Sequence, residues 1–187
     1  ANEFRNAFGR RHLLITILAG TPIAKVRRAV GPDVQIIRAM PNLGAQVGEA
    51  MTALTGAGGK SMEYAEAVFS GCGKTIRLPE RHLNLVTAVS GSGPAYFFLL
   101  MELLAKEART QGLSESVART LAVQTALGAA LLAANSEFPP NELRKQVTSK
   151  GGTTEAALKV FEKMKLPAII SAGVRAALQR GRQLSRG

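Results

Sequence analysis

The amino-acid sequence predicts an α/β segment followed by an all-helical segment. Across residues 1–80, short β-rich apolar runs alternate with runs of helical spacing, which is the pattern of strands and helices in a parallel sheet. From residue 80 onward, every periodic stretch repeats at helical spacing. Hydrophobic residues make up 46% of the 187 residues, which is enough for a packed core. We therefore expect two domains, residues 1–80 and residues 81–187.

Four strands are predicted in the first segment. Residues 13–18 form a continuous apolar run, which is typical of a strand buried on both faces of a parallel sheet. A helix follows at Pro22, because proline is tolerated in the first helical turn. The other predicted elements are strands over residues 34–39, 51–54 and 74–78 and helices over residues 22–30 and 62–70.

A strongly apolar helix is predicted over residues 94–111, after a flexible break at Ser90-Gly-Ser-Gly93. It is apolar nearly all round, so in a water-soluble protein it must be buried on every side. Two arrangements would bury it: contact with a partner subunit, or the centre of a monomeric helical bundle. Further helices are expected over residues 114–134, 154–165 and 167–183.

A polar stretch, Lys150-Gly-Gly-Thr-Thr154, precedes one of these helices. The first N–H groups of a helix have no partner within the helix and carry the positive end of its dipole, so this loop can receive an anion. Glycine lets a ligand approach the backbone, and threonine hydroxyls can add hydrogen bonds. Without a ligand, the same residues would serve as an ordinary helix cap.

The net charge of +11 favours anionic partners, since 24 lysines and arginines face 13 acidic residues. These bases are scattered along the chain, with no arginine-rich block and no interleaved aromatic residues. A nucleic-acid interface needs clustered charge, so we expect no nucleic-acid partner. A basic nucleic-acid-binding helical protein remains a hypothesis that rests on charge alone.

The remaining composition predicts a cytoplasmic protein without metal. Cys72 is the single cysteine, which excludes an intrachain disulfide and fits a reducing compartment. His12 and His82 have no spaced partners that would indicate a metal site. No apolar run reaches the roughly 18 residues of a membrane span, so no membrane partner is expected.

No glycine fingerprint for a dinucleotide is present. The Gly-x-Gly-x-x-Gly turn, which lets a pyrophosphate approach bare backbone, occurs nowhere in the sequence. The short motif Gly71-Cys-Gly-Lys-Thr75 does not have the P-loop spacing either, because Val68 stands where glycine would be required.

Three motifs together resemble the signature set of the Δ1-pyrroline-5-carboxylate reductases. They are Ile37-Arg-Ala-Met-Pro-Asn42, Ser90-Gly-Ser-Gly-Pro-Ala-Tyr96 and Val147-Thr-Ser-Lys-Gly-Gly-Thr-Thr154, in the order of the family, and the similarity covers essentially the whole chain. The resemblance implies an oxidoreductase that uses NADPH or NADH to reduce the cyclic imine 1-pyrroline-5-carboxylate to L-proline, the last step of proline biosynthesis. The alternative is a catalytically silent helical dimerisation module.

The resemblance also implies a substrate site in the glycine and threonine loop. The backbone N–H groups of Gly152, Thr153 and Thr154 would bind the substrate carboxylate, and the Thr154 hydroxyl would lie nearest the imine nitrogen. A threonine hydroxyl can orient or relay a proton but hardly originate one near neutral pH. The implied substrate-binding residues are Val147, Ser149, Gly151, Gly152, Thr153 and Thr154, with Thr154 as the catalytic residue.

Cofactor contacts are implied at the carboxyl ends of the first two strands, where ligands collect in such sheets. From the residues alone, these loops would be ordinary strand-end turns, and a loop glutamate would be ordinary surface. Two residues depart from the family pattern: Leu18 stands where a small residue is usual, and Lys150 where proline is usual. The implied cofactor-binding residues are Ala19, Gly20, Met40, Pro41, Asn42 and, from the neighbouring subunit, Glu137.

The family begins with a Rossmann half that carries the fingerprint, and this chain starts where that half is mostly spent. We therefore expect residues 1–80 to be the remnant, the second half, of a Rossmann-like parallel sheet, produced by truncation. Residues 81–187 would form a helical substrate-binding and dimerisation domain. The resemblance implies a homodimer, with higher rings of dimers also known in the family. Whether the truncated chain binds cofactor and is active is left open by the sequence.

Overall fold

A computed structural model describes residues 8–186 of the chain. Its strands are β1 Leu13–Thr16, β2 Gln35–Met40, β3 Ala50–Gly56 and β4 Gly73–Arg77. Its helices are α1 Ile23–Val30, α2 Lys60–Ser70, α3 Leu83–Val86, α4 Gly93–Thr110, α5 Glu115–Asn135, α6 Pro140–Gln146, α7 Thr153–Lys163 and α8 Leu166–Arg186.

The four strands form one sheet in the order β1-β2-β3-β4. The predicted combination of a partial Rossmann-like sheet with a helical domain is confirmed, but the sheet is mixed and not wholly parallel. Strand β3 runs antiparallel to β2, whereas β1 with β2 and β3 with β4 are parallel pairs. The connection from β2 to β3 holds only the 3-10 turn Leu43–Val47, which is too short for the crossover that a parallel neighbour requires.

The core of the sheet lies against α2. Ile37 and Ala39 of β2 and Leu54 of β3 are buried with Met62 and Ala65 of α2. The two helical residues are three apart, so they lie on one face of the helix. Burial of this apolar set fixes the register of the two central strands, since a slip by one residue would expose their apolar faces.

An ion pair between a buried arginine and a partly exposed glutamate lies on the opposite face of β2. Arg38 is only 3% exposed, and its Nη1 donates to Glu80 Oε1 at 3.2 Å. The same carboxylate oxygen accepts the backbone N–H of Ile23 at 2.7 Å, at the start of α1. Nη2 of Arg38 is buried and has no partner among the described residues. Charge compensation of Arg38 therefore depends on Glu80.

The predicted break at residues 90–93 is wrong, because helical structure continues from Glu80 to Thr110. A π-helical turn covers Thr87–Gly91, and the Ser92 N–H donates to the Thr87 carbonyl at 2.8 Å. A Cβ added to Gly91 would lie 2.9 Å from Met40 Cε. Glycine is thus selected here by close packing and not by flexibility. Other predicted boundaries moved by a few residues, as at β1, which ends at Thr16.

Packing divides the chain into two compact units. Among the described residues, one unit comprises residues 8–94 with residues 173–186, and the other comprises Ala95–Ala172. This division differs from the expected boundary after residue 80, because the end of α8 packs within the sheet unit: the Ser185 hydroxyl donates to Asn84 Oδ1 at 3.2 Å. A Cβ added to Gly20, whose φ is +67°, would meet Leu184 Cβ at 2.7 Å.

Helix α4 exposes a stripe of large apolar side chains. Phe97, Leu100 and Leu104 are 64%, 51% and 46% exposed, and their spacing places them on one helical face. Its apolar residues are thus not buried within the chain's own bundle, so the monomeric-bundle alternative is not supported. A large exposed apolar surface of this kind marks an interaction site.

Within residues 8–186, two helices are long and apolar enough to cross a membrane by length and composition alone, contrary to the sequence-based expectation. They are Glu80–Thr110 and Glu115–Asn135, with mean hydropathies of 1.3 and 1.5 over their most apolar 18-residue windows. In each window, 11% of the residues are buried. A helix that packs in a subunit interface can have the same length and hydropathy as a membrane-spanning helix.

Glu80→Gln is expected to lower the free energy of unfolding by about 2–3 kcal/mol, because it leaves the buried Arg38 charge uncompensated while preserving an acceptor oxygen. Arg38→Met, which removes the charge itself, should cost less. Urea denaturation would measure both. Glu49→Gln, at an exposed glutamate of the same unit, is the matched control and should stay within about 0.5 kcal/mol of the parent. An equally small effect of Glu80→Gln would contradict this account.

Candidate functional site

The candidate site begins where α6 ends. Beyond Gln146, the Val147 N–H donates to the Leu143 carbonyl at 3.3 Å, and the Thr148 N–H donates to the Lys145 carbonyl at 3.0 Å. The Thr148 hydroxyl donates to the Arg144 carbonyl at 2.6 Å. These bonds satisfy carbonyls that a helix end otherwise leaves without partners. They also fix the point from which the glycine loop leaves α6.

Glycine is required by the backbone torsion angles at position 151 and is favoured by close packing at position 152. Gly151 has φ +76°, in the left-handed region that other residues rarely adopt. Gly152 has ordinary torsion angles, but a Cβ there would collide with the Ser149 hydroxyl and come within 3.2 Å of the Ser149 carbonyl oxygen. The two residues thus turn the chain sharply between Ser149 and the first turn of α7.

The start of α7 presents backbone N–H groups that have no partner within the described part of the chain, among them the adjacent ones of Thr153 and Thr154. The Gly152 N–H, expected to belong to the same set, instead donates to the Ser149 carbonyl at 3.0 Å. The expected anion site is therefore narrower than predicted. Two adjacent amides at the positive end of an 11-residue helix remain suited to a carboxylate.

An acidic residue that the sequence analysis missed lies in this first turn. Glu155 Oε2 accepts the Gly151 N–H at 2.9 Å and lies 3.1 Å from Lys159 Nζ. Two contacts hold the pKa of the Glu155 carboxyl below its ordinary value. The larger effect comes from the hydrogen bond donated by the Gly151 N–H, and the smaller one comes from Lys159. Its spacing could have revealed it, since Glu155 and Lys159 are four residues apart on a predicted helix.

The other predicted substrate and partner-subunit residues lie on the surface. Val147 is 62% exposed, and Ser149 is exposed just before the glycines. Thr153 is exposed, whereas Thr154 is half-buried. Glu137 is exposed in the connection between α5 and α6. Its predicted contact with a neighbouring subunit stays a prediction.

The predicted cofactor loops follow β1 and β2, which are adjacent and parallel, so both loops lie at the same edge of the sheet. Asn42 uses its whole amide within the fold. Its Oδ1 accepts the N–H groups of Gly44 at 3.1 Å and Met51 at 3.4 Å. Its Nδ2 donates to both the carbonyl and the hydroxyl oxygen of Ser90, each at 3.2 Å. Asn42 therefore fixes the loop and offers no spare hydrogen bond to a ligand in this conformation.

These loops fit only part of a dinucleotide. Beside the loops after β1 and β2, Met40 packs on Gly91 and Gly20 packs on Leu184. For a pyrophosphate, the described residues offer no cradle at α1, because the N–H of Ile23 is already bonded to Glu80. The roles of Ala19, Gly20 and the Met40-Pro41-Asn42 turn toward a cofactor therefore stay predictions.

Comparisons of the sequence and the structure with known proteins indicate one family. A sequence model described as "Pyrroline-5-carboxylate reductase dimerisation" matches residues 80–184. Pyrroline-5-carboxylate reductase of Synechocystis is 43% identical over 181 residues, covering 94% of this chain and 67% of the relative. The reductase of Pseudomonas aeruginosa is 40% identical over 92% of this chain and 65% of the relative. The chain thus spans about two thirds of the length of these curated relatives.

Solved structures give the same result. The Plasmodium falciparum pyrroline carboxylate reductase with NADP bound superimposes with a TM-score of 0.86 at 30% identity, covering 92% of this chain and 71% of that one. A pyrroline-5-carboxylate reductase from Coxiella burnetii gives a TM-score of 0.87 at 37% identity, covering 92% and 66%. The resemblance inferred from the three motifs is confirmed. Because the dimerisation model covers more than half of the chain and close relatives align along nearly all of it, the chain belongs to the pyrroline-5-carboxylate reductase family.

Proposed function

We propose that this chain belongs to a cytoplasmic enzyme that reduces 1-pyrroline-5-carboxylate to L-proline with NADPH or NADH, the last step of proline biosynthesis. One observation of the molecule carries the proposal beyond family membership. The amides of Thr153 and Thr154 are adjacent, have no partner within residues 8–186, and stand at the positive end of α7. This is the arrangement that a small carboxylate substrate needs.

The chain's own residues act on the substrate in two ways. The N–H groups of Thr153 and Thr154 bind its carboxylate, which fixes one end of the ring. The Thr154 hydroxyl then lies close to the ring nitrogen, where it orients or relays the proton that the nitrogen gains. The reduced nicotinamide supplies the hydride to the carbon of the C=N bond. Hydride on carbon and proton on nitrogen together give the saturated ring of proline.

Cofactor contact by this chain is part of the same proposal. The residues that would lie against the nicotinamide end are Ala19, Gly20, Met40, Pro41 and Asn42. They act mainly as a wall, since the Asn42 amide is committed to Ser90 and to the backbone of its own loop. An exposed glutamate, Glu137, would reach the cofactor of a partner subunit. The Plasmodium relative with NADP bound supports this class of cofactor.

A homodimer through the helical domain completes the proposal. The apolar stripe of α4, formed by Phe97, Leu100 and Leu104, lies within the residues that the dimerisation model matches. Exposed leucines of α5 extend the apolar surface, including Leu127 and Leu131 at 47% and 52%. Burial of such side chains against a second copy stabilises the dimer by about 25 cal/mol per Å² of apolar area removed from water.

Isothermal titration should show that the parent chain binds L-proline. Gly151→Ala is expected to weaken that binding about 10-fold, because a side chain in the left-handed region costs roughly 1–2 kcal/mol. Gly173→Ala is the matched control, since a Cβ at this position of α8 meets nothing within 4 Å, and its affinity for proline should equal that of the parent. A Gly151→Ala chain that binds proline as tightly as the parent would exclude the loop from the site.

Thr154→Val should lower kcat about 10-fold or more, because it removes the hydroxyl proposed to orient the proton while keeping the shape of the side chain. Thr154→Ser, which keeps the hydroxyl, should retain most of the activity. The rate of NADPH oxidation with pyrroline-5-carboxylate measures both. Thr110→Val, at an exposed threonine at the end of α4, is the control. Proline binding without NADPH binding would indicate a preserved substrate pocket in a chain that cannot complete the reaction. Binding of neither ligand would favour the silent-module alternative.

Leu100→Asp should convert a dimer into a monomer in analytical ultracentrifugation, because it places a charge in the centre of the α4 stripe. Val68→Asp is the matched control: Val68 is 63% exposed on α2, outside the residues matched by the dimerisation model, and the dimer should persist. A parent chain that sediments as a monomer would contradict the proposed assembly.

A further inference from the structure

The carboxylate of Glu155 joins the first turn of α7 to the loop that precedes it. In a capping box, the glutamate at the third helical position reaches back to the N–H of the N-cap residue. Here the N-cap is Gly152, and Glu155 reaches one residue further, to the N–H of Gly151 at 2.9 Å. The bond therefore spans the segment that carries the amides of Thr153 and Thr154.

Little else holds this segment in one conformation. Lys150 and Gly151 are both exposed, and two successive glycines lose more conformational freedom on ordering than any other pair. Within the described residues, three hydrogen bonds fix the loop from Lys150 to Gly152. The Gly151 N–H donates to Glu155, the Gly152 N–H donates to the Ser149 carbonyl, and the Gly152 carbonyl accepts the Ala156 N–H. Glu155 provides the one that involves a charged group, which is the stronger type.

The charge of Glu155 would by itself oppose an anionic ligand at the neighbouring amides. Lys159 Nζ lies 3.1 Å from the carboxylate, so the pair offsets that repulsion. The lowered pKa of Glu155, caused first by the Gly151 N–H, agrees with a carboxylate that stays ionised and bonded. The arrangement thus keeps an acceptor for Gly151 without leaving an uncompensated negative charge beside the site.

We propose that Glu155 is a positioning residue of the substrate site, which holds Gly151 so that the Thr153 and Thr154 amides face a bound carboxylate. This inference rests on the proposed function, and it assigns to Glu155 no contact with the substrate. It predicts that loss of the carboxylate loosens the loop and weakens ligand binding together.

The test compares Glu155→Ala and Glu155→Gln with the parent chain. Amide hydrogen exchange at Gly151, measured by NMR, reports the loop, and isothermal titration with L-proline reports the site. In Glu155→Ala, exchange at Gly151 should accelerate about 10-fold, and the Kd for proline should rise about 5-fold or more. Glu155→Gln keeps an acceptor oxygen and should restore both quantities to within about 2-fold of the parent.

Glu162→Gln is the matched control, because it removes the same charge from the same helix at an exposed position away from the loop. It should leave both readouts unchanged. Unchanged exchange and unchanged proline affinity in Glu155→Ala would overturn the positioning role, as would a Glu155→Gln chain that behaves like Glu155→Ala. A parent chain that binds no proline would instead overturn the proposed function, and the exchange measurement would still decide whether Glu155 orders the loop.

Discussion

The carboxylate of Glu80 connects three parts of the sheet unit at one point. It pairs with the buried Arg38 of β2, accepts the first N–H of α1, and itself begins the long helical segment that runs to Thr110. A guanidinium that is 3% exposed is tolerated only with a partner, so the start of the helical segment at Glu80 is tied to β2 by charge. The predicted cofactor loops follow β1 and β2, so their positions depend on the contacts of Glu80 with Arg38 and Ile23.

Much of the fold could be predicted from local pattern. The apolar run at residues 13–18 and the helical spacing beyond residue 80 correspond to observed elements, because burial fixes their period. The direction of β3 and the continuity of the helix through Ser90-Gly-Ser-Gly93 could not be predicted in the same way. The direction of β3 depends on the length of its connection to β2. The continuity of the helix depends on Met40, which is distant in sequence and packs on Gly91. A glycine chosen for a close contact has the same sequence signature as a glycine chosen for flexibility.

The candidate site shows the same division between local and distant information. The helix start after Gly152 was predictable from capping and glycine signals, and the structure places α7 there. The sequence could not predict which amides remain free. That outcome depends on the acceptors that the folded loop brings close, which are Ser149 for the Gly152 N–H and Glu155 for the Gly151 N–H. Asn42 is a similar case. A polar side chain after a strand predicts contact with a ligand. The Asn42 side chain instead donates to Ser90, which lies in a helical turn remote in sequence.

The fit between Gly20 and Leu184 has a practical consequence for handling the protein. Leu184 lies near the end of α8, yet its side chain packs directly on the turn after β1. Shortening the polypeptide before Leu184 would uncover that turn, and a bulky fusion immediately after it would crowd the same contact. Molecules cleaved within α8 before Leu184 would therefore differ from intact ones at a loop more than 160 positions earlier in the sequence.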